Sequence, residues 1–455
     1  MTFCPPEKRP FEKMLQDYAN SDAARFHMPG HKGLGLEGTP LSAIQGLDIT
    51  ELSFSDNLHS PESSIKALQY RFAKVYGQAG AYLLVNGSTA GVIAMLLAIG
   101  DRKRILVARN CHRSAVNGLM LANHECVPLF AHDGIVTAEA VGAALEKHNC
   151  DAVLITSPDY YGRCCDIDKI AEVCHRHSAA LLVDAAHGAH FAFSNRLPSV
   201  PGKADLWVTS CHKTMCALTQ SGVLFMGKDS LVSPSEVKKA LSAIQTTSPS
   251  YLLMLSLETA LNFSDFWEKH IERIQGIRKR LHGIAGIRLY DGDVAFYDTT
   301  RLHIGVNDGF AAKKLLEDIG IFVEMADTNS LLLITSPFDK DEWYERLLNA
   351  LSCLTAYNKE ACERTILVPS SAADAFSVRD AFFAETEAVG LDAAEGRICA
   401  ESTGIYPPGI ALLFPGERIT AQALKLLGAY LNTEAEFFGL SAEKKVYCIK
   451  EKHNI

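Results

Sequence analysis

The chain has 455 residues, 48% hydrophobic and 21% charged, the ordinary balance of a soluble globular enzyme with room for two or three domains. Its net charge of −9 argues against non-specific nucleic-acid binding and leans toward a cationic small substrate. The opening MTFCPPEKRP has no basic stretch followed by an apolar run, and the apolar run around Val92 to Ile99 is too short to span a bilayer, so neither a secretory signal nor a membrane span is expected.

In chain order, residues 1–60 read as an irregular arm with one short helix, Pro10 to Asn20. Gly33 to Gly38 matches G-x-G-x-x-G, but no strand precedes it and no helix clearly follows, so it is not a dinucleotide fingerprint. The same loop is dense in His27, Pro29, Gly30, His31, Lys32 and Gly33, a composition that is either disordered or built to wrap a site. A helix is expected over Ser63 to Tyr76. Seven short apolar runs follow, most of them leading into a helical period: Tyr82–Val85, Ile105–Ala108, Cys126–Phe130, Ala152–Thr156, Ala180–Val183, Leu206–Thr209 and Val223–Met226. They predict an α/β domain over 61–290 with a seven-stranded, mostly parallel sheet covered on both faces. After a long helical stretch from Ser250 to about Ile284, RLHIGV, GIFVEMAD and LLLITS alternate with helices Ala311–Ile319 and Lys340–Leu354, a smaller α+β domain over 291–368. A polar segment, Pro369–Asp374, leads into a last subdomain over 369–455 with a helix from Ile419. Thirteen cysteines without a Cys-x-x-Cys pair read as the reduced thiols of a cytoplasmic protein.

Ligands of open α/β sheets sit at the carboxyl ends of strands, and the residues found there carry chemistry. The first run ends in Asn86-Gly87-Ser88-Thr89-Ala90-Gly91, which reads equally as a phosphate site at a helix N-terminus or as a plain cap. His112 follows the second run, Ser157-Pro158-Asp159-Tyr160-Tyr161 the fourth, and Asp184 with His187 and His190 the fifth. The sixth delivers Ser210-Cys211-His212-Lys213, where a lysine at the end of a buried strand is either a surface residue or an amine tuned to attack an aldehyde. The spacing of His187, His190 and His212 matches no zinc signature. Phosphate turn, flat ring partner, strand-tip carboxylate and strand-tip lysine in one sheet are together what pyridoxal 5′-phosphate (PLP) requires.

At these residues the chain resembles the Orn/Lys/Arg decarboxylases, in their short bacterial form, among the fold-type I (aspartate aminotransferase-like) PLP-dependent enzymes. The resemblance rests on FHMPGHKG, DITEL with DNLHSPE, LLVNGSTAG, RNCHRSA, TSPDYYG, VDAAHGAHF, SCHKT with ALTQ, QTTSPSYLLM and YPPGIALLFPGE, and spans nearly the whole chain. It implies that Lys213 bonds to the cofactor, that Asp184 pairs with the pyridine nitrogen and that His112 stacks on the ring. Gly87, Ser88, Thr89, Ser210 and His212 would surround the phosphate, with Thr246 or Thr247 reaching over from a neighbouring subunit, and His187 would pack beside the cofactor. A homodimer or higher homo-oligomer with shared active sites is implied.

The implied reaction is α-decarboxylation of a basic amino acid, arginine first and then lysine or ornithine. His31 from the arm and Tyr406 from the YPPG run would close the substrate pocket, with Glu401, Asp327 or Glu324 taking the cationic end. An aminotransferase or lyase on the same fold is the nearest rival and would need an arginine clamp, with Arg397 the candidate. A catalytically silent homologue is the other. Three positions depart from the family pattern: Ala185 stands where an acidic residue is usual, Cys211 where threonine is, and Gly404-Ile405 where Thr-Pro is. The first two flank catalytic residues; the third bears on specificity.

Overall fold

The structure, a computed structural model, describes residues 9–130, 134–290, 295–354, 376–406, 409–431 and 433–451. The separating segment expected at Pro369–Asp374 lies outside them, as do residues 1–8 of the arm and Pro407 and Pro408 of the YPPG run.

All seven apolar runs are strands of one sheet: β1 (Gly80–Leu84), β2 (Arg104–Ala108), β3 (Glu125–Leu129), β4 (Ala152–Thr156), β5 (Ala180–Asp184), β6 (Leu206–Ser210) and β7 (Gly222–Met226). Their order is β1-β7-β6-β5-β4-β2-β3, with β7 antiparallel to both its neighbours and the other pairings parallel. Burial on both faces explains why these strands read as continuous apolar runs instead of alternating ones. Along β6 the side chains divide by parity. Leu206 and Val208 join one core with helix Gly87–Ala98, while Trp207 joins the other, where it stacks on Phe225 with ring centroids 4.2 Å apart.

The arm packs on this domain through helix Pro10–Ala19, whose first amides need partners. Glu258, fully buried on helix Tyr251–Asn262, supplies them, accepting from the N–H groups of Phe11 at 3.3 Å and Glu12 at 2.8 Å. The long helical stretch after Ser250 is two helices, Tyr251–Asn262 and Trp267–His282, broken by a tight turn at Ser264–Phe266.

A second, antiparallel sheet contains β8 (Arg288–Leu289), β9 (Arg301–Gly305), β10 (Met325–Asp327) and β11 (Ser330–Ile334), in the order β10-β11-β9-β8. Ile274, Leu281, Leu316, Leu347 and Leu351 from three helices cover it. The chain entering β9 is hydrogen-bonded to the loop after β4, with Asp298 N–H donating to Gly162 at 2.8 Å and Cys164 N–H to Phe296 at 3.0 Å. Two small sheets complete the C-terminal region: β12 (Thr386–Val389) pairs with β16 (Val446–Ile449), and β13 (Thr403–Tyr406) lies between β14 (Ile410–Leu413) and β15 (Glu436–Phe438). Among the described residues no helix is long and apolar enough to cross a membrane.

Candidate active site

The tips of β1, β2, β4, β5 and β6 converge on one cavity of about 560 Å3. Gly87 turns the chain from β1 into the following helix with φ of +71°, a conformation costly for any residue with a Cβ. The helix then lies so close to the sheet that a Cβ on Gly91 would approach Val208 to 2.4 Å. Free amides at this helix start, the Ser88 hydroxyl hydrogen-bonded to Ser210 at 2.8 Å, and Thr89 and His212 in the same wall make an anion cradle.

His112 follows β2 and caps helix Arg113–Leu121: its Nδ1 accepts from Ser114 N–H at 3.2 Å. Burial and the Lys213 charge push its pKa down to about 4, so the ring is neutral with its proton on Nε2. The C-terminal region backs this ring through a bridge between His112 and Ile410 and the turn at Gly409.

Asp184 ends β5 and is buried at the cavity wall. Its carboxylate accepts from Ala186 N–H at 3.1 Å, and burial raises its pKa against the opposing pull of Lys213 and that amide. A carboxylate so placed calls for a cationic N–H partner from a ligand. Lys213 Nζ lies 3.0 Å from His187 Nε2, and burial lowers its pKa, with Asp184 acting in the opposite direction. His187 in turn accepts at Nδ1 from the Arg301 guanidinium at 3.0 Å. Burial first, then the Lys213 and Arg301 charges, hold its pKa well below the usual imidazole value.

Across the cavity Tyr160 hydrogen-bonds Glu324, which precedes β10, and its ring meets the edge of His187 with centroids 4.8 Å apart. Arg163 lines the cavity too, but Asp159 holds it at 2.6 Å. Tyr406, half-exposed at the end of β13, completes the wall.

Of the residues singled out from the sequence, Gly87, Ser88, Thr89, His112, Asp184, His187, Ser210, His212, Lys213, Glu324 and Tyr406 therefore line one cavity. Asn86, Asp159, Tyr160 and Tyr161 line it too, whereas the remaining substrate and neighbour-subunit candidates lie elsewhere in the single chain. His31 is held within the arm, 3.1 Å from Asp48, and Thr246 and Thr247 are exposed. Glu401 is exposed outside the cavity, and Asp327 accepts from Tyr430 at 2.8 Å in a neighbouring cleft. Arg397 pairs with Glu387 at 2.5 Å, away from the strand tips. Sequence reasoning missed Arg301, which stands 114 positions from His187 in the chain. The one available signal was an arginine opening the strand run RLHIGV.

Residues 9–294 match the model of the Orn/Lys/Arg decarboxylase major domain, and residues 355–452 match that of the Orn/Lys/Arg decarboxylase C-terminal domain. The arginine decarboxylase of Halalkalibacterium halodurans is 34% identical, over 92% of this chain and 92% of that one. The fold resembles the lysine decarboxylase LdcF of Francisella novicida, with a TM-score of 0.80 at 18% identity over 97% of this chain and 81% of that one. It also resembles a structure of SPT with PLP, with a TM-score of 0.52 at 17% identity over 67% of this chain and 81% of that one. The strand-tip constellation and these matches lead to one statement: the chain belongs to the Orn/Lys/Arg decarboxylase family.

Proposed function

We propose that the chain removes the α-carboxyl group of a basic amino acid as CO2, arginine first and lysine or ornithine next, leaving the amine of a polyamine pathway. The observation that carries this reading is one cavity with an anion cradle, Asp184 and Lys213 at the strand tips and the Glu324 carboxylate in its opposite wall. The donor set fits PLP. Gly87, Ser88, Thr89, Ser210 and His212 would take the phosphate, and Asp184 would hold the pyridine nitrogen protonated. His112 would lie on the ring face, and Lys213 would carry the aldehyde carbon. Bound there, the cofactor supplies an electron sink for the pair left at Cα when CO2 departs.

The chain's own residues then direct the reaction. Glu324, with Tyr160 beside it, takes the cationic end of the substrate and places the α-carbon at the strand tips. Arg163 is the one arginine among the described residues lining the cavity, and Asp159 engages it. The α-carboxylate thus meets no unengaged guanidinium, which favours its loss, because its charge disperses in the transition state. The same arrangement disfavours an aminotransferase. Lys213, beside His187 at the strand tip, would be the group placed to return a proton to Cα.

The enzyme acts in the cytoplasm as a homodimer or higher homo-oligomer with shared active sites. Exposed Phe26, Met28 and Leu34 on the arm would be covered by a second copy, and exposed Thr246 and Thr247 would reach that copy's phosphate site. Incubation with PLP and arginine, lysine or ornithine singly, scoring CO2 and amine against keto acid, tests the reading. CO2 with stoichiometric amine is expected, greatest with arginine; keto acid without CO2 sinks it.

A further inference from the structure

Arg301 is the first residue of β9, fully buried, and it does not line the cavity. Burying a guanidinium demands a return. Asp298 offers only part of one, with its carboxylate 3.7 Å from Nε, and among the described residues Nε and Nη1 make no hydrogen bond. The third nitrogen, Nη2, donates to His187 Nδ1 at 3.0 Å. A guanidinium has no acceptor, so the direction of this bond is fixed.

The rest follows from valence. His187 accepts at Nδ1, so the neutral ring carries its proton on Nε2. That Nε2–H points at Lys213 Nζ, 3.0 Å away. An ammonium has three donors and no lone pair, so only the uncharged amine can accept there. We infer that Arg301 is a positioning residue: by fixing the tautomer of His187 it holds the unbonded Lys213 amine in its neutral, nucleophilic form. The inference builds on the proposed role of Lys213 and adds a residue from the second sheet to it.

Other charges face Lys213 as well. Asp184 at the tip of β5 and Glu324 ahead of β10 favour the ammonium, while burial and the Arg301 charge favour the amine. His112 is neutral at this position and contributes no charge of its own. The relay therefore works against two carboxylates, which gives its removal a definite sign: the amine must become harder to deprotonate.

The test measures that amine directly. Full-length chain stripped of cofactor is labelled with an amine-acylating reagent from about pH 6 to about pH 10, and acylation of Lys213 is read by mass spectrometry. Arg301→Met is expected to move the Lys213 midpoint up by about one pH unit, a roughly tenfold slower labelling on the acid side. Arg301→Lys, which keeps a charged donor, should abolish most of the shift. His187→Phe should move the midpoint in the same direction, and the double variant should move it no further than the larger single one. An unchanged midpoint in folded Arg301→Met, or additive shifts in the double variant, would overturn the relay. If Arg301→Met does not fold, His187→Phe alone decides, and an unchanged midpoint there overturns it as well. PLP capture by the unmutated chain, followed by its visible absorbance, is scored in parallel. Its failure sinks the proposed cofactor while leaving the labelling result standing.

Discussion

Arg109 and Glu417 face each other at 3.1 Å with both side chains buried, one just past the end of β2 and the other beyond β14. Arg109 also donates to the Leu412 carbonyl at 3.1 Å and lies 3.6 Å from the centre of the Phe414 ring, while Glu417 accepts from Phe414 N–H at 2.9 Å. This pair joins the large sheet to the region that backs His112. Removing one partner leaves the other charged and buried, at a cost of about 3–5 kcal/mol. Glu417→Ala should lower the unfolding free energy by that amount, seen as a lower urea midpoint with an unchanged m-value in equilibrium unfolding followed by circular dichroism.

Glu324 acts on the far end of the substrate, so its loss should appear in binding. Glu324→Gln is expected to raise KM for arginine about tenfold or more with little change in kcat, the pattern of an interaction made equally before and during reaction. Tyr160→Phe, which deprives Glu324 of its hydroxyl partner, should raise KM by a smaller factor. Steady-state kinetics on both variants check this, and an unchanged KM in Glu324→Gln would assign the cationic end to another carboxylate.

Lys213→Ala removes the strand-tip amine itself. CO2 release should fall on the order of 10³-fold or more. PLP should then be retained by equilibrium dialysis through the anion cradle alone, and released on brief treatment with competing phosphate. Retention as firm as in the parent chain would contradict a covalent role.

Buried histidines held neutral set the acid limit of stability, His112 and His270 among them. Burial pushes His112 down to about 4 and His270 to about 3. At His270, Arg273 donates to Nδ1 at 2.9 Å, so Nε2–H donates to Thr335. Both folded pKa values lie below that of the unfolded chain, which therefore binds more protons as the pH drops below about 6.5. Stability should fall through this window by a few kcal/mol. His270→Gln should flatten the change in urea midpoint between about pH 7 and about pH 5, and an unchanged slope would remove His270 from the explanation.

The large sheet was legible because each strand is buried on both faces, which writes an unbroken apolar run into the chain, and because the parallel topology gathers the strand ends. Asp184, Lys213 and His112 were findable as polar residues directly after such runs. Arg301 was not, since its partner His187 follows a strand of the other sheet and their meeting depends on how two separately encoded units dock. For the same reason the sequence put Glu401 forward for the cationic end, ahead of Asp327 and Glu324. Each is an acidic residue in a mixed segment, and only the tertiary arrangement puts Glu324 beside Tyr160 in the cavity and leaves Glu401 exposed outside it.

At Gly409, with φ of +80°, a Cβ would come within 3.1 Å of the His112 ring. The C-terminal region is therefore a wall of the reaction chamber and not cargo attached to it. Drift in that region can retune the ring's tilt, and with it the reaction, while every residue at the strand tips stays the same. Exchange of this region between relatives would replace the part of the wall that Tyr406 and Ile410 supply.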